Sequence, residues 1–218
     1  MTDLSDATLD ELRAALAPGI AANAAFDGWG DAARDLAADE TGVDRDVARL
    51  AYPGGAVDMI DAWFAHVDGV VAAIPAERLA AAKVRERIAL LVEARLAAVE
   101  PDREGLRRAL AILAMPRNVA RAARLGWRTV DLIWHRAGDT ATDYNHYTKR
   151  AILLGVYGAT VTVFLDDESD DHADTTAFLH RRIDGIMRFE KFKAGVTGRK
   201  LFRPSLSRFV GRLRYPAV

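Results

Sequence analysis

The placement of proline and glycine leaves this chain little choice but a bundle of helices. Pro53-Gly54-Gly55, Pro75, Pro101-Asp102, Pro116, Gly138-Asp139 and Pro204 fall between stretches rich in Ala, Leu, Arg and Glu. Proline lacks the donor that an interior helical turn needs and glycine takes the terminal conformation, so these residues mark ends rather than interiors. Between them apolar residues recur at helical spacing, and no Asn-Gly pair joins alternating runs into a hairpin. The spacing predicts helices at about 8–25, 29–38, 43–51, 55–73, 76–99, 102–114, 116–137, 140–167, 171–195 and 204–214. Thr140, with Asp143 three residues on, reads as a capping box before the longest apolar run. The fold class is therefore all-α. With 218 residues, 50% of them hydrophobic, the chain has apolar material for one core. Three segments are expected: an N-terminal unit (1–54), a larger helical body (55–195) and a basic C-terminal segment (196–218).

Two absences narrow the function. There is no cysteine, which excludes disulfides, thiolate metal sites and cysteine nucleophiles. No run reaches about 18 uninterrupted apolar residues, because Thr160 and Thr162 interrupt Ala151 to Leu165, so a membrane-spanning helix is not expected. The first residues, MTDLSDATLDELR, are acidic without a basic leader, so the expected location is the cytoplasm.

The net charge of −1 conceals a steep gradient. Residues 1–79 carry 15 Asp/Glu against 5 Lys/Arg, 80–180 carry 14 of each, and 181–218 carry 11 Lys/Arg against 2 Asp/Glu. Either one end meets an anionic surface or the ends are simply solubilised by charge.

Residues 28–51 have a helix-turn-helix outline, with Ala38 four residues before Gly42 in the turn and Asp44 capping the next helix. A three-helix unit ahead of a larger helical body resembles the TetR-type regulators. The charge is wrong for DNA, however. Residues 27–58 hold 8 Asp/Glu against 3 Lys/Arg, and phosphate contact needs positioned cations. A ligand-responsive transcriptional regulator is thus the alternative reading, and no nucleic-acid partner is expected.

The most particular segment is Ala137-Gly138-Asp139-Thr140-Ala141-Thr142-Asp143-Tyr144-Asn145-His146-Tyr147-Thr148-Lys149-Arg150, followed by the apolar run to Asp167. It strongly resembles the COQ9 family over roughly residues 80–195, with His146 where members often have Trp. The family consists of accessory lipid-binding proteins of ubiquinone biosynthesis with a TetR-like fold. The resemblance implies a non-enzymatic protein without a cofactor. Its ligand would be an isoprenoid quinone or precursor, presented to the demethoxyubiquinone hydroxylase. It further implies a hydroxylase-facing surface at Asp143, Tyr144, His146, Tyr147, Lys149 and Arg150, extended by Asp131, Leu132 and Ile133. An apolar wall suited to a long tail is assigned to Leu110, Leu113, Trp127, Val130, Trp134, Leu154 and Phe164.

Other patterns suit more than one role. Arg117, Arg121, Arg124 and Arg128 lie on one helix face, which suits either solvent or an anionic partner. Ala151, Gly155 and Ala159 form a small-residue stripe that leaves room for a neighbouring helix or a lipid tail, and a homodimer through helices around 140–167 and 171–195 is expected. At the C-terminus Leu206, Phe209, Val210 and Leu213 make an apolar stripe flanked by Arg208 and Arg212. Such a helix can lie peripherally on the inner face of the cytoplasmic membrane or dock on the body. No catalytic or metal constellation is present: Glu168 and His172 have the wrong offset for a di-iron motif, and the acidic run at 166–174 lacks the EF-hand pattern.

Overall fold

The computed structural model describes Leu4, residues 6–139 and residues 144–198, with side chains omitted at 144–145 and 187–198. Among the described residues there is no strand, and ten α-helices follow one another. They are α1 (Leu9–Asp27), α2 (Asp31–Thr41), α3 (Arg45–Ala51), α4 (Ala56–Ala72), α5 (Ala76–Ala80), α6 (Val84–Val99), α7 (Arg103–Leu113), α8 (Val119–Arg136), α9 (Tyr144–Asp166) and α10 (Ala173–Gly198). The chain divides into two units, residues 1–180 and 181–218. The expected helix at 204–214, with Leu206, Phe209, Val210, Leu213, Arg208 and Arg212, lies outside the described residues, as does the cap at Thr140 and Asp143.

Helix α1 begins at a capping box: Glu11 N–H donates to Thr8 Oγ1 (3.3 Å) and Thr8 N–H donates to Glu11 Oε2 (2.8 Å). Its buried stripe of Leu12, Leu16, Ala17, Ile20, Ala21 and Ala24 packs against α2, α4 and α7. The crossing with α7 is close enough to require glycine. A Cβ on Gly105 would stand 2.9 Å from the Ala21 carbonyl oxygen, and the Gly105 carbonyl accepts from Trp29 Nε1 at 2.8 Å.

The helix-turn-helix forms as the sequence predicts. Gly42 takes the left-handed conformation (φ 73°, ψ 19°) and Asp44 accepts from the N–H groups of Asp46 and Val47 at 2.8 and 3.2 Å.

One boundary differs. The sequence predicts a single helix over 76–99, but the chain breaks between α5 and α6 despite Ala80, Ala81 and Ala82. Glu86 caps the new start by accepting from Lys83 N–H at 3.0 Å. Arg87 donates to the carbonyls of Ala82 (2.8 Å) and Ala80 (3.2 Å), and also to Ala137 at the end of α8 (3.2 Å). Helix propensity yields here because Arg87, near the start of α6, satisfies carbonyls that the break orphans.

The elbow between α9 and α10 is built around Asp167. It accepts from Ser169 N–H (2.9 Å) and Oγ (2.5 Å), and from Thr175 N–H (2.8 Å) and Oγ1 (2.6 Å). These bonds hold Asp171 and His172 in the left-handed region (φ 52° and 54°), which is strained for residues with a Cβ. Part of the acidic run thus serves as a helix-start clasp.

Candidate functional site

A cavity of about 540 Å³ opens among α4, α6, α7, α8 and α9. Its closed end is formed by buried Leu106, Leu113, Leu125, Thr129, Arg95 and Phe64. Its mouth is rimmed by exposed Val119, Ala123, Gly158 and Thr162. The volume falls within the range for small-molecule sites, and the lining is apolar apart from a few polar groups. Glycine shapes the wall at one point: a Cβ on Gly126 would come within 2.7 Å of Leu154 Cδ1.

Of the seven residues assigned to the apolar wall, Leu110, Leu113 and Leu154 line this cavity. Val130 and Phe164 are fully buried core, and Trp127 stacks on Tyr147 at 6.1 Å. Trp134 donates its indole N–H to the Lys149 carbonyl at 3.2 Å. None of these four lines the cavity: Trp127 and Trp134 face α9, and Phe164 packs edge-on with His172 at the elbow. The sequence missed Phe64, Arg95, Thr129 and Tyr157 as lining residues. A signal existed for Arg95: Ile88, Leu91, Val92, Arg95, Leu96 and Val99 follow helical spacing, which sets one charge in an apolar stripe.

The polar floor, Arg95 and Thr129, is tied to a ladder of ions linking three helices. On α4, Asp58, Asp61 and Asp68 share one face. Arg121 of α8 donates to Asp58 (2.8 Å) and Asp61 (3.1 Å). Arg128 reaches Asp61 (2.6 Å) and Asp68 (3.2 Å). Arg95 of α6, 2% exposed, donates from Nε to Asp68 (3.2 Å) and from Nη2 to Thr129 Oγ1 (3.1 Å). Two of the four arginines read as a free basic face are therefore spent inside the fold. Tyr157 faces this floor, and burial pushes its phenol above the ordinary value, so the hydroxyl stays protonated.

The corner assigned to a protein partner is less open than the sequence implies. Ile133 and Arg150 are fully buried. Arg150 donates to Asp131 Oδ1, to Asp139 Oδ2 (3.2 Å) and to the His146 carbonyl (3.2 Å), which clamps α9 to the end of α8. This corrects both as contact residues, since their polar edges and apolar surface face inward. Lys149 pairs with Asp139 at 2.8 Å and lies over the Trp134 ring. Tyr147 is 63% exposed with the His146 ring edge-on against it at 5.0 Å. Leu132 is partly exposed. Asp143 lies outside the described residues and the Tyr144 side chain is likewise undescribed.

Ala151, Gly155 and Ala159 are exposed along α9, and a Cβ on Gly155 would meet nothing within 4 Å. The stretch His146–Asp166 has the length and mean hydropathy (1.2) of a membrane span, but α9 packs one side on α6, α7 and α8. In the helix-turn-helix, all three arginines are paired: Arg34 with Asp31 and Asp35, Arg45 with Asp39, and Arg49 with Asp46. Among the described residues, no group of three or more His, Asp or Glu is placed to hold a metal ion.

Comparison with known proteins agrees with the resemblance read from the sequence. Residues 119–190, which comprise α8, α9 and most of α10, match the COQ9 family model. The mitochondrial ubiquinone biosynthesis protein COQ9 of Rattus norvegicus is 45% identical over 96 residues, covering 44% of this chain and 31% of its own length. The human protein of that name is 43% identical over 96 residues, 44% of this chain and 30% of its own. The match thus spans about a third of the length of these relatives. The Drosophila melanogaster protein matches over 205 residues at 28% identity, covering 90% of this chain and 61% of its own. Among solved structures, a TetR transcriptional regulator from Nitrosomonas europaea superposes with a TM-score of 0.64 at 25% identity, covering 80% of this chain and 97% of the regulator. The chain has an all-α, TetR-like fold, and its residues 119–190 are similar to the COQ9 family.

Proposed function

We propose that this protein is a non-enzymatic accessory protein of ubiquinone biosynthesis that holds an isoprenoid quinone intermediate and presents it to the demethoxyubiquinone hydroxylase. The names of the COQ9 relatives support the role in ubiquinone biosynthesis. The observation that carries the rest is the 540 Å³ cavity, with an apolar wall drawn largely from α8 and α9, which match the COQ9 family model, and from α7. An isoprenoid tail buries apolar surface there at about 25 cal/mol per Å². Partly exposed Leu132 and Lys149, with exposed Tyr147, support a docking face beside α8 and α9. We assign peripheral attachment at the inner face of the cytoplasmic membrane to the basic C-terminal segment, and a second copy of the chain to the exposed stripe on α9. The relatives are named mitochondrial, which supports action at a ubiquinone-making membrane.

The well-formed helix-turn-helix favours a second reading, a ligand-responsive transcriptional regulator. The pairing of Arg34, Arg45 and Arg49 with aspartates weighs against it, because cations already neutralised contribute little to phosphate contact. Mass spectrometry of lipid co-purifying with the protein separates the readings. An isoprenoid quinone or precursor is expected, and Gly126→Leu, which fills the cavity beside Leu154, is expected to abolish it. An empty cavity together with nanomolar binding to specific DNA at physiological salt would establish the regulator instead.

A further inference from the structure

Arg95 has more donors than the fold uses. Its Nε and Nη2 are occupied by Asp68 and Thr129, while Nη1 is buried without a hydrogen-bond partner. A buried unpaired donor on a charged group is costly, and native structures rarely leave one without a reason. The faces of this guanidinium are also taken: its central carbon lies 5.2 Å from the Phe64 ring centroid and 5.5 Å from that of Tyr157. Only an edge remains, and the free edge is Nη1. Arg95, Phe64 and Tyr157 all line the cavity, with Arg95 and Phe64 among its buried residues.

The surrounding charge says what kind of group Nη1 lacks. Asp58, Asp61 and Asp68 face Arg95, Arg121 and Arg128, three carboxylates against three guanidiniums. The ladder is balanced, so a buried anion would add an uncompensated charge. What is missing is an acceptor and not a charge.

Taking the lipid-binding reading above as the starting point, we propose that the cavity is a head-inward site for an amphiphile. Its leading uncharged oxygen accepts a hydrogen bond from Arg95 Nη1, and its apolar tail runs past Leu110 and Val161 toward the Gly158–Thr162 rim. Tyr157 lines the same wall beside Arg95. Carbonyl, ether or hydroxyl oxygens of an uncharged ring satisfy this chemistry; a carboxylate or phosphate head does not.

The test uses the full chain and two probes, an isoprenoid 1,4-benzoquinone labelled with carbon-13 at its carbonyls and the hydrocarbon with the same tail but no ring. Titration by tryptophan fluorescence is expected to show the quinone binding about tenfold or more tighter, as a hydrogen bond to a charged donor implies. The infrared carbonyl band of the bound quinone is expected at lower frequency than in hydrocarbon solvent. Arg95→Lys, which keeps a cation near Asp68 but removes Nη1, is expected to lose both effects while still binding the hydrocarbon. Equal affinities with an unshifted carbonyl band in the unaltered protein would overturn the proposal, and that readout stands even where the variant does not fold. Binding of neither probe would overturn the lipid reading itself and the proposal with it.

Discussion

Replacing Asp68 with alanine isolates the energetics of the polar floor. In the folded protein Asp68 accepts from Arg95 Nε (3.2 Å), Thr129 Oγ1 (3.2 Å) and Arg128 Nε (3.2 Å). Its side chain is 9% exposed and that of Arg95 only 2%. Asp68→Ala therefore leaves a nearly fully buried guanidinium without its counter-charge. Breaking a buried pair from one side costs about 3–5 kcal/mol. At about 2–4 °C per kcal/mol for a chain of this size, Tm falls by about 6–20 °C. The control is Asp166→Ala, which removes a pair with Arg107 whose side chains are 72% and 47% exposed and is expected to cost about 0–1 kcal/mol. Urea unfolding followed by circular dichroism gives both values. The double variant Arg95→Met with Asp68→Leu is expected to recover most of the loss, because it removes the stranded charge along with its partner. The reasoning fails if Asp68→Ala and Asp166→Ala lie within about 1 kcal/mol of each other.

Two further outcomes test the close packing and the elbow. Gly105→Ala drives a methyl against the Ala21 carbonyl at the α1–α7 crossing and is expected to cost about 1–3 kcal/mol in the same unfolding assay. The identical change at Gly155, where nothing lies within 4 Å, is expected to be neutral or stabilising by up to about 1 kcal/mol. Burial alone would raise the Asp167 carboxyl, but hydrogen bonds from Ser169 and Thr175 hold it well below its usual 3.8. A carboxyl held low in the folded state stabilises fully above its unfolded value and loses that contribution as pH falls toward the folded one. Stability is thus expected to decline as pH drops below about 4, and Asp167→Asn to be weaker at neutral pH but flatter in acid. Parallel acid slopes in urea titrations of the two proteins would contradict the assignment.

The amino-acid sequence alone determined what depends on neighbours a few residues away. Gly42 and Asp44 marked the helix-turn-helix because a left-handed turn and an N-cap are local demands, and the chain meets both. The block from Ala137 to Arg150 carried the COQ9 resemblance through a run of residue types that helical periodicity alone does not require. Which face meets which helix was not legible. Arg121 and Arg128 looked like part of a free basic stripe until α4 supplied Asp58, Asp61 and Asp68 from about 60 residues away. Trp127 and Trp134 were assigned to the cavity wall as large apolar residues, yet the seat of α9 on α8 turned them to Tyr147 and the Lys149 backbone. Arg150 looked like a surface cation, and the clamp on Asp131 and Asp139 buried it. Periodicity fixes a side chain's angle around its own helix axis. Its partner is set by the crossing of two helices, which local spacing does not encode, and only the tertiary structure decided that the floor of the cavity is Arg95 with a donor to spare.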